Sequence, residues 1–214
     1  MPRPTPTKVY HFTRIEHLPT IVESGLLCDR QAQTDGVLAI EVGNTGIKAR
    51  RATRPVPVQP GGVVAGYVPF YFAPRSPMMY SIHMGNVPGY TQGVDRLIYL
   101  ATTVERLLEV GLDPVLTDRN AVLDYTEFIQ LRNGDPAADF IDWPLMEETY
   151  WFDTEAYPDR RERRMAECLV PSAVPWDAFQ FVGAKSQTVA NEANELIADS
   201  GSAQRVAVRP AWYF

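Results

Sequence analysis

Cysteine and histidine are scarce in this 214-residue sequence, and their scarcity excludes several kinds of site. There are 2 cysteines and 3 histidines. No CxxC or HExxH spacing brings them together, which argues against a structural or catalytic zinc site, so no metal is expected. Two cysteines do not build a disulfide framework, and we expect a reduced, cytoplasmic protein.

Long apolar runs and phosphate-binding glycine motifs are also missing. No stretch approaches the roughly 18 apolar residues of a membrane helix. The first residues lack the apolar segment of a signal peptide, so we expect no membrane partner. The sequence has no GxGxxG after a strand, no GxxxxGK(S/T) and no GxSxG. A Rossmann dinucleotide site, a P-loop and a nucleophile elbow are therefore not supported.

Positive charge is in the minority, with a formal net charge of −6. This balance argues against a general nucleic-acid coat, which is usually basic. The basic residues are nevertheless clustered in two short stretches, residues 48–54 and residues 160–164. A small local groove for phosphate groups is therefore compatible with the overall acidic charge.

Apolar periodicity predicts one α+β domain over residues 1–214 with a mostly antiparallel sheet, because strands and helices mix without strict alternation. Thr13 and Glu16 have the spacing of a capping box, which predicts a helix start, and residues 28–46 read as a loop. The predicted strands are 9–12, 67–72, 96–101, 114–117, 168–170, 179–182 and 206–209. The predicted helices are 13–25, 47–52, 76–84, 103–110, 125–131, 142–151 and 186–198.

Glu167 stands between an arginine-rich helical run and a short apolar strand. The four arginines at 160, 161, 163 and 164 are expected to keep it ionised and facing an anionic ligand. A carboxylate can hydrogen-bond a ribose hydroxyl and stabilise a sugar cation, while an arginine can grip a pyrophosphate. Nicotinamide leaves the ribose of NAD as a neutral base, so one carboxylate suffices. ADP-ribosyl transfer is therefore a candidate, although spacing alone does not select it.

The sequence resembles the DarT family, the DNA ADP-ribosyltransferase toxins of the DarT–DarG toxin–antitoxin systems. The resemblance covers most of the chain, and the VPFYF and RSPM block at residues 68–78 is its most specific part. The segments that carry the resemblance are 9–13 (VYHFT), 47–51 (IKARR), 67–78 (YVPFYFAPRSPM), 117–120 (TDRN), 166–170 (AECLV) and 212–213 (WY).

The resemblance implies the ADP-ribosyltransferase fold, in which a mostly antiparallel split sheet with flanking helices forms a cleft for NAD. NAD is then a co-substrate and no metal is implied. A loop at about residues 33–53 corresponds to an element that covers the bound NAD. The segment at about residues 118–167 corresponds to the loop that presents the DNA substrate.

Site residues also follow from the resemblance. Glu167 falls at the family's catalytic glutamate and Arg51 at its other essential position. Arg51 is too basic to be a conventional base, so we assign it chiefly to stabilising the developing thymine anion, whereas the family view is that it assists proton removal. The implied NAD contacts are His11, Phe12, Thr13, Thr20, Cys28, Arg51 and Tyr71. The implied DNA contacts are Arg119, Asn120, Arg163 and Arg164, with Tyr71 and Tyr80 as stacking candidates.

The implied activity is transfer of ADP-ribose from NAD to a base in single-stranded DNA, most often thymidine, with release of nicotinamide. The implied partner is a DarG-like macrodomain antitoxin that removes the modification. Two alternatives stay open. One is an enzyme of the same fold that uses protein, RNA or water as acceptor, and the other is a non-catalytic nucleic-acid-binding module.

Overall fold

Ten strands form two sheets in the computed structural model, which describes residues 3–37, 42–131, 139–201 and 204–214. They are β1 (Lys8–Arg14), β2 (Leu26–Leu27), β3 (Tyr67–Tyr71), β4 (Leu97–Thr103), β5 (Val115–Thr117), β6 (Phe128–Gln130), β7 (Glu167–Pro171), β8 (Ala173–Val174), β9 (Phe181–Ala184) and β10 (Arg205–Val208). Eight strands make one sheet in the order β10-β9-β4-β1-β3-β7-β5-β6, and β2 pairs with β8. Every neighbouring pair is antiparallel except β9 with β10, which confirms the predicted α+β class.

Helices flank the sheets on both faces. They are α1 (Leu18–Ser24), α2 (Asp29–Thr34), α3 (Thr45–Thr53), α4 (Pro77–His83), α5 (Val104–Glu109), α6 (Trp143–Glu147), α7 (Arg160–Arg163) and α8 (Gln187–Ile197). Five of them begin at a side chain that accepts the N–H three residues on, namely Asn44, Ser76, Thr103, Asp142 and Ser186. No helix of the described ranges has the length and apolarity needed to cross a membrane.

Three local predictions are wrong. Thr13 stays in β1 and its hydroxyl meets His17 Nδ1 at 2.9 Å, so it caps no helix. Residues 29–34 form α2 inside the predicted loop. The helix predicted over 125–131 is wrong because residues 128–130 pair with β5 as an edge strand. In the last case long-range strand pairing overrides a weak local preference.

Alternating side chains of the central strands fill an apolar core on each face of the large sheet. Val9 of β1 packs in the same core as Leu100 of β4. The next residue, Tyr10, faces the opposite core together with Tyr99 and Met79. Burial on both faces makes β4 a central strand and holds β1 rigidly against it, so the residues that follow on β1 have fixed positions.

β1 and β3 are neighbours in the sheet but diverge almost at once. They share one registered pair, Tyr10 with Tyr71, whereas β1 pairs with β4 along its whole length and β3 pairs with β7 along its whole length. Pro69, in the middle of β3, has no N–H to donate, and prolines within strands are typical of edges and breaks in a ladder. The sheet is therefore split, as the resemblance implied, and it opens between β1 and β3.

Gly183 of β9 is where the closing segment of the chain packs onto the sheet. A Cβ at this position would lie 2.5 Å from Cζ3 and 2.7 Å from Cε3 of Trp212. The Trp212 ring cannot move aside easily, because it packs against Tyr10, Tyr99 and Phe181 at centroid distances of 5.1, 5.6 and 5.5 Å. Only glycine leaves room for the indole here.

We expect Gly183→Ala to lower the free energy of unfolding by about 1–3 kcal/mol, the usual cost of overpacking a well-filled core. Urea denaturation followed by circular dichroism measures it. The control is the same substitution in a Trp212→Leu background, where the added methyl group should cost much less. An equal cost in both backgrounds would contradict the steric explanation.

Candidate active site

The opening between β1 and β3 widens into a cavity of about 410 Å³. Its wall is built from both strands and from α1, α2, α3 and α4. Eight of the site residues proposed from the sequence line it: His11, Phe12, Thr13, Thr20, Arg51, Tyr71, Asn120 and Glu167. Residues as distant in the chain as 11 and 167 are therefore brought to one enclosed space.

Arg51 and Glu167 form a buried ion pair in this cavity. Arg51 Nη1 donates to both carboxylate oxygens, at 3.1 Å to Oε1 and 2.9 Å to Oε2. The side chain of Glu167 is 1% exposed and that of Arg51 is 12% exposed. Desolvated charges of this kind are tolerated when they are paired and further hydrogen-bonded, and removing one partner is strongly destabilising. The guanidinium also has a buried Nη2 that makes no hydrogen bond to any of the described residues.

The backbone around Glu167 holds its carboxylate in one orientation. The N–H of Ala121 donates to Oε1 at 3.1 Å. The N–H of Glu167 itself donates to the hydroxyl of Thr117 at 3.0 Å, and that hydroxyl donates to the carbonyl of Arg119 at 2.7 Å. Because these contacts come from the loop that follows β5, the carboxylate and residues 117–121 form one rigid unit.

α3 is held in place by its cap and by two neighbours of Arg51. Asn44 caps the helix by accepting the N–H groups of residues 46 and 47. On α3 Arg50 donates to the carbonyl of Val122 at 3.2 Å, and Arg54, directly after the helix, donates to the carbonyl of Asp124 at 3.1 Å. The helix that carries Arg51 is thus tied to the loop whose amide binds Glu167, so both halves of the ion pair are set by one assembly.

His11 spans the opening between the two strands. Its Nδ1 lies 2.8 Å from the carbonyl oxygen of Pro69, so Nδ1 carries the proton and Nε2 is the acceptor in the neutral ring. Burial lowers the pKa of His11 from 6.5 to about 4, although the hydrogen bond to Pro69 acts in the opposite direction. The ring is therefore neutral at physiological pH and offers a hydrogen-bond acceptor.

Tyr71 pairs in register with Glu167 across β3 and β7. Burial raises the pKa of its phenol, and the negative charge of Glu167 raises it further. Its ring is stacked on that of Phe12, with centroids 6.3 Å apart and planes 17° apart. A neutral hydroxyl and a flat aromatic face therefore lie beside the buried carboxylate.

The donor and acceptor set fits a dinucleotide such as NAD. The unpaired Nη2 of Arg51 suits an anionic or carbonyl oxygen, the carboxylate of Glu167 suits a ribose hydroxyl, and the Tyr71–Phe12 pair suits an aromatic ring. Within the described residues no three His, Cys, Asp or Glu side chains are grouped in a way that would hold a metal ion.

Comparison with known proteins identifies the family. The family model described as "ssDNA thymidine ADP-ribosyltransferase, DarT" matches residues 10–214. The DNA ADP-ribosyl transferase of Thermus sp. (strain 2.9) is 35% identical over 213 residues, which make up 99% of this chain and 98% of that protein. The chain belongs to the DarT family.

Solved structures agree with this assignment. Thermus sp. 2.9 DarT in complex with ADP-ribosylated ssDNA matches with a TM-score of 0.89 at 33% identity, covering 100% of both chains. The same DarT in complex with NAD+ matches with a TM-score of 0.86 at 33% identity, covering 99% of both. A DNA ADP-ribosyl transferase-DNA ADP-ribosyl glycohydrolase fusion protein of Thermosipho africanus is 25% identical over 167 residues, 78% of this chain and 39% of that protein. The family resemblance and the fold are confirmed.

Among the described residues, the cation that pairs with Glu167 is not one of the four arginines at 160–164. Arg160 pairs with Glu148, Arg163 pairs with Asp142 and Asp159, and Arg161 lies 4.0 Å from Asp153. Within the described ranges none of these four arginines forms an ion pair with Glu167, because Arg160, Arg161 and Arg163 face other acidic groups and Arg164 donates to the carbonyl of Leu145. The cation that contacts Glu167 comes instead from Arg51, which is 116 residues away in the chain.

Four further residues proposed from the DarT resemblance lie outside the cavity lining: Cys28, Arg119, Arg163 and Arg164. Cys28 is buried in the apolar core. Arg119 pairs with Asp118 at 2.7 Å, and Arg164 is 3% exposed and donates to the carbonyl of Leu145. Their side chains are thus occupied by packing or by local pairing.

Most of the cavity lining was not singled out by sequence reasoning, and His17 and Met165 are examples. Arg161, one of the arginines before Glu167 that were candidates for DNA contacts, also lines the cavity. The Nδ1 atom of His17 lies 2.9 Å from the hydroxyl of Thr13. In the sequence, His17 is a polar residue among the apolar positions 15, 18 and 21, and this pattern could have indicated a site residue. Arg161 and Met165 have helical spacing, which would have placed them on one face of the segment before Glu167.

The lowered pKa of His11 makes stability depend on pH. Between about pH 6.5 and pH 4 the unfolded chain binds a proton at this histidine and the folded chain does not, so stability falls as the pH falls. We expect a loss of up to about 3 kcal/mol from this group. Urea denaturation at several pH values measures it. His11→Asn, whose amide can still donate to Pro69, should flatten this part of the profile, and an unchanged profile would contradict the assignment.

Proposed function

We propose that this chain is a toxin that transfers ADP-ribose from NAD to a thymidine base in single-stranded DNA and releases nicotinamide. The observation that carries the proposal is the buried Arg51–Glu167 pair inside the cavity of a DarT-family chain. The thymidine acceptor is supported by the family, and the Thermus relative has been solved with NAD+ and with ADP-ribosylated ssDNA.

Glu167 acts on the ribose next to the nicotinamide. When bound, NAD supplies an electrophilic ribose carbon and a leaving group that departs as a neutral base. The carboxylate of Glu167 accepts a hydrogen bond from a ribose hydroxyl and stabilises positive charge on the sugar. Its fixed contacts with Ala121 and Arg51 mean that no reorganisation is needed when this charge develops.

Arg51 acts on the acceptor base. The ring nitrogen of thymine must lose a proton before it can attack, and the adjacent carbonyl oxygens then carry negative charge. The unpaired Nη2 of Arg51 is suited to donating to such an oxygen, because a guanidinium stays charged at any physiological pH. We therefore assign Arg51 to stabilising the thymine anion.

The remaining wall residues hold NAD and DNA. We assign His11, Phe12, Thr13, Thr20 and Tyr71 to NAD, with residues 33–53 covering it; of these, residues 38–41 lie outside the described ranges. The segment 118–167, of which residues 132–138 lie outside the described ranges, presents the DNA, with contacts from Asn120 and Arg161 at the cavity. Arg119 and Arg163 would contact the strand only by exchanging their present carboxylate partners for phosphate groups.

We also propose a partner that removes the modification. The Thermosipho africanus relative is a fusion of a DNA ADP-ribosyl transferase with a DNA ADP-ribosyl glycohydrolase, which supports a glycohydrolase antitoxin of the macrodomain type for this chain. Because NAD and genomic DNA occur together in the bacterial cytoplasm, we place the activity there.

Incubation with NAD and a panel of short single-stranded DNAs tests the function. Mass spectrometry should find one added ADP-ribose on thymidine-containing oligonucleotides of particular sequence. Glu167→Gln keeps the shape of the side chain but removes its charge, and it should lower the rate by a factor of about 10²–10³ or more.

Glu155→Gln is the matched control, because Glu155 is an exposed carboxylate on the same segment, and it should leave the rate unchanged. Nicotinamide release without modified DNA would indicate another acceptor or hydrolysis. If neither nicotinamide nor modified DNA is formed, the proposal that the chain is an ADP-ribosyltransferase is wrong.

The role of Arg51 has a separate test. Arg51→Lys keeps the charge but cannot donate in a fork, so DNA modification should fall at least about tenfold. Nicotinamide release in the absence of DNA should fall less. The ring nitrogen of 5-fluorodeoxyuridine is more acidic than that of thymidine. An acceptor that carries 5-fluorodeoxyuridine in place of thymidine should therefore restore part of the rate of Arg51→Lys. Equal losses with both acceptors would show that Arg51 acts on NAD alone.

A further inference from the structure

Arg75 and Arg164 lie close enough for their charges to interact, and neither has an acidic partner within 4 Å among the described residues. Arg164 makes one hydrogen bond, to the carbonyl of Leu145. Arg75 makes none within the described part of the chain. The Nε atoms of both are buried without a hydrogen-bond partner. Two adjacent guanidinium groups are therefore left without a counter-charge in direct contact.

Such an arrangement is costly unless an anion joins it. Burial and, to a smaller extent, the positive charge of Arg75 together lower the pKa of Arg164 from 12.5 to about 10. Glu148 acts in the opposite direction but is already bound to Arg160. Buried charges in proteins are normally paired, so an uncompensated pair of arginines next to the surface points to an anionic ligand.

Aromatic rings surround these arginines. The guanidinium of Arg75 lies over the ring of Phe214 at 4.2 Å from the centroid. Tyr80 packs against Phe214, Trp151 and Phe152 at centroid distances of 5.1, 6.0 and 5.5 Å. Phe152 is 42% exposed. We call Arg75, Tyr80, Phe152 and Phe214 the Arg75 surface. Arg164 is buried and adds positive charge next to it.

The Arg75 surface is close to the cavity. On α4, Met78 and Ser81 line the cavity, while Tyr80 belongs to the Arg75 surface. Before Glu167, Arg161 and Met165 line the cavity, whereas Arg164 does not. The cavity and the Arg75 surface therefore share the short helix α4. A strand whose acceptor base enters the cavity can reach the Arg75 surface with a neighbouring nucleotide.

We propose that the Arg75 surface binds a backbone phosphate and the base of a nucleotide flanking the acceptor in single-stranded DNA. The proposal rests on the function proposed above. Guanidinium groups bind phosphate oxygens in a bidentate manner, and aromatic faces stack on bases of any kind, which is the combination that single-strand binding uses. In a chain of net charge −6, such a local site supplies attraction that the overall charge does not.

Salt dependence of binding tests the phosphate contact. Arg75→Gln is compared with the wild type for binding of a fluorescent thymidine oligonucleotide by anisotropy at several NaCl concentrations. Loss of one contact should weaken binding about tenfold at low salt and reduce the slope of log K against log salt by about 0.7. Arg106→Gln, on α5 and paired with Glu109, is the control and should change neither quantity.

Chemical modification of the DNA locates the contact. A series of oligonucleotides, each with one neutral methylphosphonate, should show one position beside the acceptor that weakens wild-type binding and has no effect on Arg75→Gln. Phe152→Ala, a substitution at an exposed ring, should weaken binding severalfold, and less so when the flanking nucleotide is abasic.

The outcomes separate the two proposals. If the wild type modifies DNA but Arg75→Gln keeps the full salt slope and the same methylphosphonate profile, the Arg75 surface is not a DNA subsite while the function stands. If Arg75→Gln changes only the inhibition by the antitoxin, the Arg75 surface binds the antitoxin and is not a DNA subsite. If the wild type modifies no DNA, the proposed function itself fails.

Discussion

The buried ion pair between Arg51 and Glu167 is the interaction on which the rest of the site depends. A carboxylate that is 1% exposed remains stable only with a cation and hydrogen-bond donors in place. The structure provides these from separate parts of the chain, α3 for the cation and the loop after β5 for the amide of Ala121. The contacts of Arg50 and Arg54 with that same loop keep the two parts together.

The split in the sheet is the second constraint. β1 and β3 separate after one pair, so the edges that would bond each other face a cavity instead. The side chain of His11 crosses the opening and donates to the carbonyl of Pro69. This hydrogen bond satisfies a carbonyl group of β3 where the backbone pairing with β1 has ended. The sheet thus opens into a binding cleft at this point. Pro69 cannot donate a backbone hydrogen bond, and the side chain of His11 supplies the contact that strand pairing would otherwise make.

The chain separates a dry reaction centre from a charged periphery. Near Glu167 the side chains are few, neutral or paired, which strengthens every electrostatic contact made there. Of the arginines of the α7 segment, Arg161 faces the cavity, and Arg160 and Arg163 are held by carboxylates. Within the described ranges, Arg75 and Arg164 have no such partner. Such a division suits an enzyme that binds a polyanion weakly and carries out charge-sensitive chemistry on one base of it.

The sequence by itself determined the family, the fold class and eight of the residues that line the cavity, because motifs such as VYHFT and YVPFYFAPRSPM preserve both residue type and order along the chain. It predicted capped helices well, for example α4 after Ser76, since a cap is a local interaction. Only the tertiary structure decided which cation meets Glu167, that Thr13 stays in a strand, that residues 128–130 pair with β5, and that Arg161 rather than Arg163 or Arg164 faces the cavity. Each of these depends on contacts between residues distant in sequence or on the direction in which a short helix turns. Local periodicity and spacing carry no information about either.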